Sequence, residues 1–120
     1  MPENNAIDVN WLRKTFDDDA VLAELYTLYV TDTAKRLEEL RSAIGASDAR
    51  RCGRVAHAMK GSSGNVGANQ MRELAARLEK HDWSTDAAGQ RALVSGLETE
   101  FSRVQTFVQE FLNTCACPSN

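Results

Sequence analysis

Cysteine is scarce and odd in number: Cys52, Cys115 and Cys117. Three thiols do not make a disulfide framework, and the count suits a reducing cytoplasm. Cys115 and Cys117, one residue apart near the C-terminus, are too few ligands for a metal site. Two prolines, seven glycines and 7% aromatic residues argue against a many-turned β-sandwich. No apolar run reaches the roughly 18 residues of a membrane span. The opening MPENNAID has no basic-then-apolar signal pattern. The expectation is a cytoplasmic protein with no direct membrane contact. Basic residues are not in excess, since the formal net charge is −3, so no global field draws in nucleic acid. Alternating strand segments and internal repeats are also missing.

What is present suits a single domain over 1–120, with 1–6 and 114–120 expected as frayed tails. Apolar residues at 42% and charged residues at 26% are ordinary for a globular chain and enough for a core. Asp8 can cap a short helix over about 9–16 that carries Trp11, Leu12 and Phe16. Asp17, Asp18 and Asp19 mark the start of a long helix over about 19–44, since carboxylates favour the positive end of the helix dipole. Its apolar face is Leu22, Leu25, Tyr29, Leu37, Leu40 and Ile44, with Thr33 where an apolar residue would fit. Gly45 is placed to end it. A third helix starts near Asp48, with Val55 and Met59 on its buried side. A fourth spans about 69–82 through Met71, Leu74, Ala75 and Leu78. Ser84 or Thr85 restarts the chain into a last helix over about 85–113, seamed by Leu93, Leu97, Phe101, Val104, Val108 and Phe111. The fold class is all-α: an up-down four-helix bundle with a short additional N-terminal helix as a lid.

The chemistry concentrates in Val55-Ala56-His57-Ala58-Met59-Lys60-Gly61-Ser62-Ser63-Gly64-Asn65-Val66-Gly67-Ala68. If this stretch stays helical to about Gly64, each residue turns by about 100°. Gly53, Lys60, Gly61 and Gly64 then lie within about 60° of His57, while Val55, Met59, Ser62 and Val66 lie opposite. The imidazole therefore faces solvent, with a cation one turn on and bare backbone around it. A glycine costs about 1 kcal/mol in a helix interior. What three of them offer in return is access, because a second macromolecule can bring a bulky reactive group to the ring. Lys60 can neutralise an anion forming there, and Arg50 and Arg54 add positive potential on the same side.

Such a site suits transient capture of a phosphoryl group. Free histidine titrates near about 6.5, so a neutral nucleophilic form exists in the cytoplasm. One ring nitrogen attacks while the other donates a hydrogen bond that sets the tautomer. Glu79, at the edge of the apolar face of the fourth helix, is a candidate acceptor. No aspartate cluster suits magnesium, so a partner would have to bring the metal.

The run from His57 to Ala68 resembles the signature of the histidine-containing phosphotransfer (HPt) domain, H-x-[LMI]-K-G-[SA]-[SA]-x-x-[LVI]-G, preceded here by Ala56. The resemblance continues into Leu74 and Leu78-Glu79, and more weakly to Ile7-Asp8 and the acidic turn before the second helix. It implies a four-helix bundle that is not an enzyme but a phosphoryl carrier without a kinase or ATP site of its own. By the same resemblance, His57 takes the phosphoryl group, Lys60 steadies it and Glu79 orients the ring. Gly61 and Gly64 match the small residues over which a receiver docks, and with Gly53, Arg54 and Lys60, which the helical wheel and charge set on the same side, they are the expected partner-binding face. The implied partners are response-regulator receiver domains or a hybrid sensor histidine kinase, with Mg2+ on the receiver and no cofactor or metal of the chain's own; the open histidine face argues against dimerising through it, so a monomer is expected.

Two other readings compete. One is a helical interaction module that docks on a receiver or kinase without being phosphorylated. The other is metal-linked regulation through His57, His81 and the cysteines. A phosphate-cradling loop at Gly61–Asn65 would need the helix to end at Lys60, and the spacing fits neither Walker A nor G-x-G-x-x-G. His81 is expected as a solvated residue near the end of the fourth helix.

Overall fold

The structure, a computed structural model, describes residues 4–83 and 87–115, apart from the side chains of Ala87 and Cys115. Five helices and no strands occur among them: α1 (Val9–Arg13), α2 (Asp19–Gly45), α3 (Ala49–Val66), α4 (Asn69–Glu79) and α5 (Ala87–Cys115). Each of α2–α5 packs on its neighbours in sequence, and α2 closes the ring against α5. The pairings Tyr29–Ser63 and Arg51–Glu39 set α2 antiparallel to α3, and Arg41–Glu98 with Tyr26–Phe111 does the same for α2 and α5. This is the up-down bundle. Among the described residues, no helix is long and apolar enough to cross a membrane.

Three helices start on aspartate caps. The Asp8 carboxylate accepts from the Trp11 amide, Asp18 from Ala20 and Asp48 from Arg51, each satisfying an amide that the helix leaves open. The core is continuous, with Leu22, Tyr26, Leu40, Met59, Met71, Leu78, Leu97 and Val104 fully buried. Thr33 is buried too, below the Tyr29 and Ser63 hydroxyls, which share a 2.6 Å hydrogen bond. Burial raises the Tyr29 phenol above its ordinary value, against the pull of that bond.

Several local expectations need correction. Tyr26 belongs to the core, while Leu25 and Ile44 are only half-buried. Because α2 faces both α3 and α5, its apolar stripe is wider than one seam, and Tyr26 sits edge-on to Phe107 and Phe111 at 5.9 and 5.1 Å. α2 runs through Gly45. The left-handed residue is Ser47, at φ 55, where Ser47 N–H donates to Ile44 and Asp48 N–H to Ala43 in a Schellman closure. α1 ends at Arg13, with Phe16 N–H turned back onto Leu12. α4 stops at Glu79 rather than near 82, because the chain tightens into a turn (His81 N–H to Leu78 O) and brings Trp83 back onto the core. His81 is half-buried and edge-on to that indole at 5.4 Å.

The frayed tails are also corrected where they are described. Asn4 donates to the Arg103 carbonyl, Arg103 donates to Asn5, and Ala6 and Ile7 are buried, so residues 4–7 are strapped to α5. Thr114 lies within α5. Residues 1–3 and 116–120, and the helix restart at Ser84 or Thr85, lie outside the described residues.

Candidate functional site

The glycine-rich stretch is helix, not loop, as far as Val66. Its terminator is Gly67 at φ +76, where Ala68 N–H reaches back to Ser63 O at 2.9 Å. A Cβ on Gly67 would sit 3.1 Å from the Asp8 carbonyl, and Asp8 N–H donates to Gly67 O at 2.9 Å. Only glycine accepts both the left-handed conformation and that approach. The α3 helix is thus pinned at its far end, with Cys52, Val55, Ala56, Met59, Ser63 and Val66 turned inward.

His57 therefore points outward, its side chain 69% exposed. The antiparallel hairpin of α3 and α4 sets Glu79 beside it, with Nδ1 2.7 Å from Oε2. A carboxylate only accepts, so Nδ1 carries the proton and the lone pair belongs to Nε2, which has no partner among the described residues. The other Glu79 oxygen, Oε1, accepts from Lys60 Nζ at 2.8 Å. One carboxylate thus bridges the two groups that the sequence singles out. Lys60 first, and His57 second, hold the Glu79 carboxyl below the usual carboxylate range.

The other proposed contact residues divide. Gly53 and Gly61 have nothing within 4 Å of where a Cβ would stand, so both leave open surface. Gly64 does not: a Cβ there would meet the Arg72 side chain at 3.1 Å. Its backbone is partly covered from α4, because hairpin register places Arg72 opposite it. Arg54 and Arg50 are exposed, and with Gly53, His57 and Glu79 they line an open groove of about 520 Å³. The reading of single residues missed the Lys60–Glu79 ion pair and the Arg72 cover. Counting outward from Ala68 matches Gly64 with Arg72 and His57 with Glu79, and Lys60, one turn on from His57, reaches the same carboxylate with its long side chain.

No group of three or more His, Cys, Asp or Glu among the described residues could hold a metal. Cys52 is buried and its thiol is pushed up, mainly by burial. The side chain of Cys115 and all of Cys117 lie outside the described residues.

A bundle with an outward imidazole, a lysine one turn on and glycines beside it defines a class of carrier, and the chain belongs to the Hpt domain family, whose model matches residues 24–112. Proteins of this family are phosphoryl carriers of phosphorelays that work with response-regulator receivers and kinases. Among solved structures, the chain is similar to histidine-containing phosphotransfer protein B (HptB) from Pseudomonas aeruginosa PAO1, at 27% identity and TM-score 0.79, over 92% of this chain and 98% of that one. No curated protein matches it significantly.

Proposed function

We propose that His57 accepts a phosphoryl group from the aspartyl phosphate of one receiver domain and hands it to the aspartate of another. The observation that carries this reading is the His57–Glu79 hydrogen bond, which commits Nδ1 and leaves the lone pair of Nε2 facing out. In the forward step Nε2 attacks phosphorus in line, the N–P bond forms, and the P–O bond to the receiver aspartate breaks, leaving its carboxylate. The ring then carries a formal positive charge, which the Glu79 carboxylate offsets. Lys60 turns from Glu79 towards the phosphoryl oxygens. Positioning and charge neutralisation are the main demands of phosphoryl transfer. Gly53, Arg54, Lys60 and Gly61 form the face on which the receiver docks, with Gly64 lending thin backbone beneath the Arg72 stem. The receiver supplies Mg2+, and the carrier works as a cytoplasmic monomer.

The test is transfer from a purified phosphorylated receiver, with Mg2+, to the protein and to His57→Gln. An acid-labile, base-stable label on the wild type alone is the expected result. Binding without label across a panel of receivers would favour a docking module instead, and label on the variant would place the acceptor elsewhere.

A further inference from the structure

Charge is unevenly divided in this chain. The α3 helix holds Arg50, Arg51, Arg54 and Lys60 and no acid, in a protein whose formal net charge is −3, so the rest of the chain stands at −7. Two of the four cations are neutralised within the fold: Arg51 lies 3.7 Å from Glu39 and Lys60 lies 2.8 Å from Glu79. Arg50 and Arg54 are exposed and have no acidic partner among the described residues. Neither helps the helix it sits on through the dipole, because Arg50 opposes it in the first turn and Arg54 lies beyond that turn. They flank the open backbone of Gly53 and line one groove with His57 and Glu79.

We infer that Arg50 and Arg54 are the partner-selecting half of the docking face, recognising acidic side chains that a receiver carries beside its phosphoryl-bearing aspartate. This rests on the carrier reading and adds the chemistry of its partner. By helical rise, Arg54 lies about 4.5 Å and Arg50 about 10.5 Å along the α3 axis from His57, both on its N-terminal side. A matching receiver therefore carries its acids roughly 5–10 Å to one side of the reacting aspartate. Facing acids gain attraction from the pair, and facing cations are repelled. The rest of the chain is acidic in net charge, so this small basic field also biases the orientation of approach.

The experiment titrates binding of the receiver domain that exchanges phosphoryl groups fastest with this protein. Wild type, Arg50→Gln/Arg54→Gln and Arg50→Lys/Arg54→Lys are compared from about 20 to about 500 mM salt, a range that spans strong to weak screening. Wild-type affinity is expected to fall steeply with salt. The glutamine variant should bind about ten-fold more weakly at the lowest salt, with a flattened dependence, and the lysine variant should stay within about three-fold of wild type. Equal affinity and equal salt dependence in wild type and glutamine variant overturn the inference while transfer to His57 leaves the carrier reading intact. If no receiver exchanges phosphoryl groups, the titration uses the tightest-binding receiver, and the carrier reading fails alone. If none binds, both fail. Comparable loss of binding to a DNA duplex or to anionic vesicles in the glutamine variant reassigns the pair to general polyanion attraction and overturns the receiver assignment.

Discussion

Filling the open glycines should make the protein more stable and the carrier worse. Gly53 and Gly61 lie inside α3, and a Cβ at either meets nothing within 4 Å. Replacing each with alanine removes backbone entropy from the unfolded chain and introduces no contact, a gain of about 1 kcal/mol per site. The sites are about 12 Å apart along the axis and share no partner, so the gains add to about 2 kcal/mol. With a urea dependence of roughly 1.5 kcal/mol/M, the midpoint should rise by about 1.3 M. Function should respond in the opposite sense, and by size. A methyl at Gly61 is a small intrusion, whereas Gly61→Phe sets a ring beside His57 and should slow transfer from a receiver by at least about ten-fold, as expected for a bulky group near the middle of a modest interface. Urea midpoints and single-turnover transfer on the same preparations decide it. A loss of stability in the double alanine variant would mean that the backbone needs these glycines. Unchanged transfer in Gly61→Phe would mean that the partner docks elsewhere, and either result refutes the argument.

Glu79→Gln keeps an acceptor for Nδ1 but removes the charge that holds Lys60 and offsets the phosphorylated ring, so transfer to His57 should slow by roughly ten-fold in single-turnover kinetics. The Glu79 carboxyl is held low by Lys60 and His57; what its contacts add to stability is therefore complete above the unfolded value of about 4.3 and lost as pH falls through the lower folded value. A carboxyl-carbon NMR titration should show Glu79 among the last glutamates to protonate. Gly67→Ala combines left-handed strain with crowding of the Asp8 carbonyl and should cost about 2–3 kcal/mol in urea unfolding; a neutral result would remove the pin at the end of α3. Burial raises the Tyr26 phenol to about 12, against the pull of Arg13, and raises Tyr29 as well. Their contribution to stability is intact below the unfolded value of about 10 and declines as pH climbs towards the folded values. Tyrosinate absorbance should therefore lag that of free tyrosine, and titration near 10 with the fold intact would contradict the burial.

The bundle was legible because its signals are local and repeated. Asp8, Asp18 and Asp48 stand where caps belong, and the Leu97–Phe101–Val104–Val108 seam recurs at helical spacing. The exposure of His57 was legible for the same reason, since a single helical wheel separates it from Val55, Met59 and Val66. What could not be read this way depends on two elements at once. Tyr26 looks like a flank residue until α5 supplies Phe107 and Phe111. Gly64 looks as bare as Gly61 until α4 lays Arg72 over it. Lys60 looks free for a ligand until Glu79 arrives with a second oxygen. Ser47 took the left-handed position expected of Gly45, because the two backbone bonds closing the α2 end depend on where Asp48 caps α3.

The α3 helix shows why its outer face answers to something other than stability. Gly53, Gly61 and Gly64 in its interior cost about 3 kcal/mol of helix propensity together. Arg50, in its first turn, adds about 0.3–1 kcal/mol against the dipole. Burial of Val55, Met59 and Val66 alone returns about 1.5–3 kcal/mol per side chain, and that figure is an upper bound for a compact unfolded chain. The inward face thus holds α3 in place against costs that the outward face imposes. The Gly67 closure fixes the end of the helix, and the Tyr29–Ser63 bond ties it to α2. A helix secured in this way from behind can carry bare backbone, two unpaired guanidiniums and an exposed imidazole in front. Substitutions that improve the front by folding criteria, alanine for Gly53 or glutamate for Arg50, bring nothing to a partner-binding surface, and the reversed charge at Arg50 is expected to harm it.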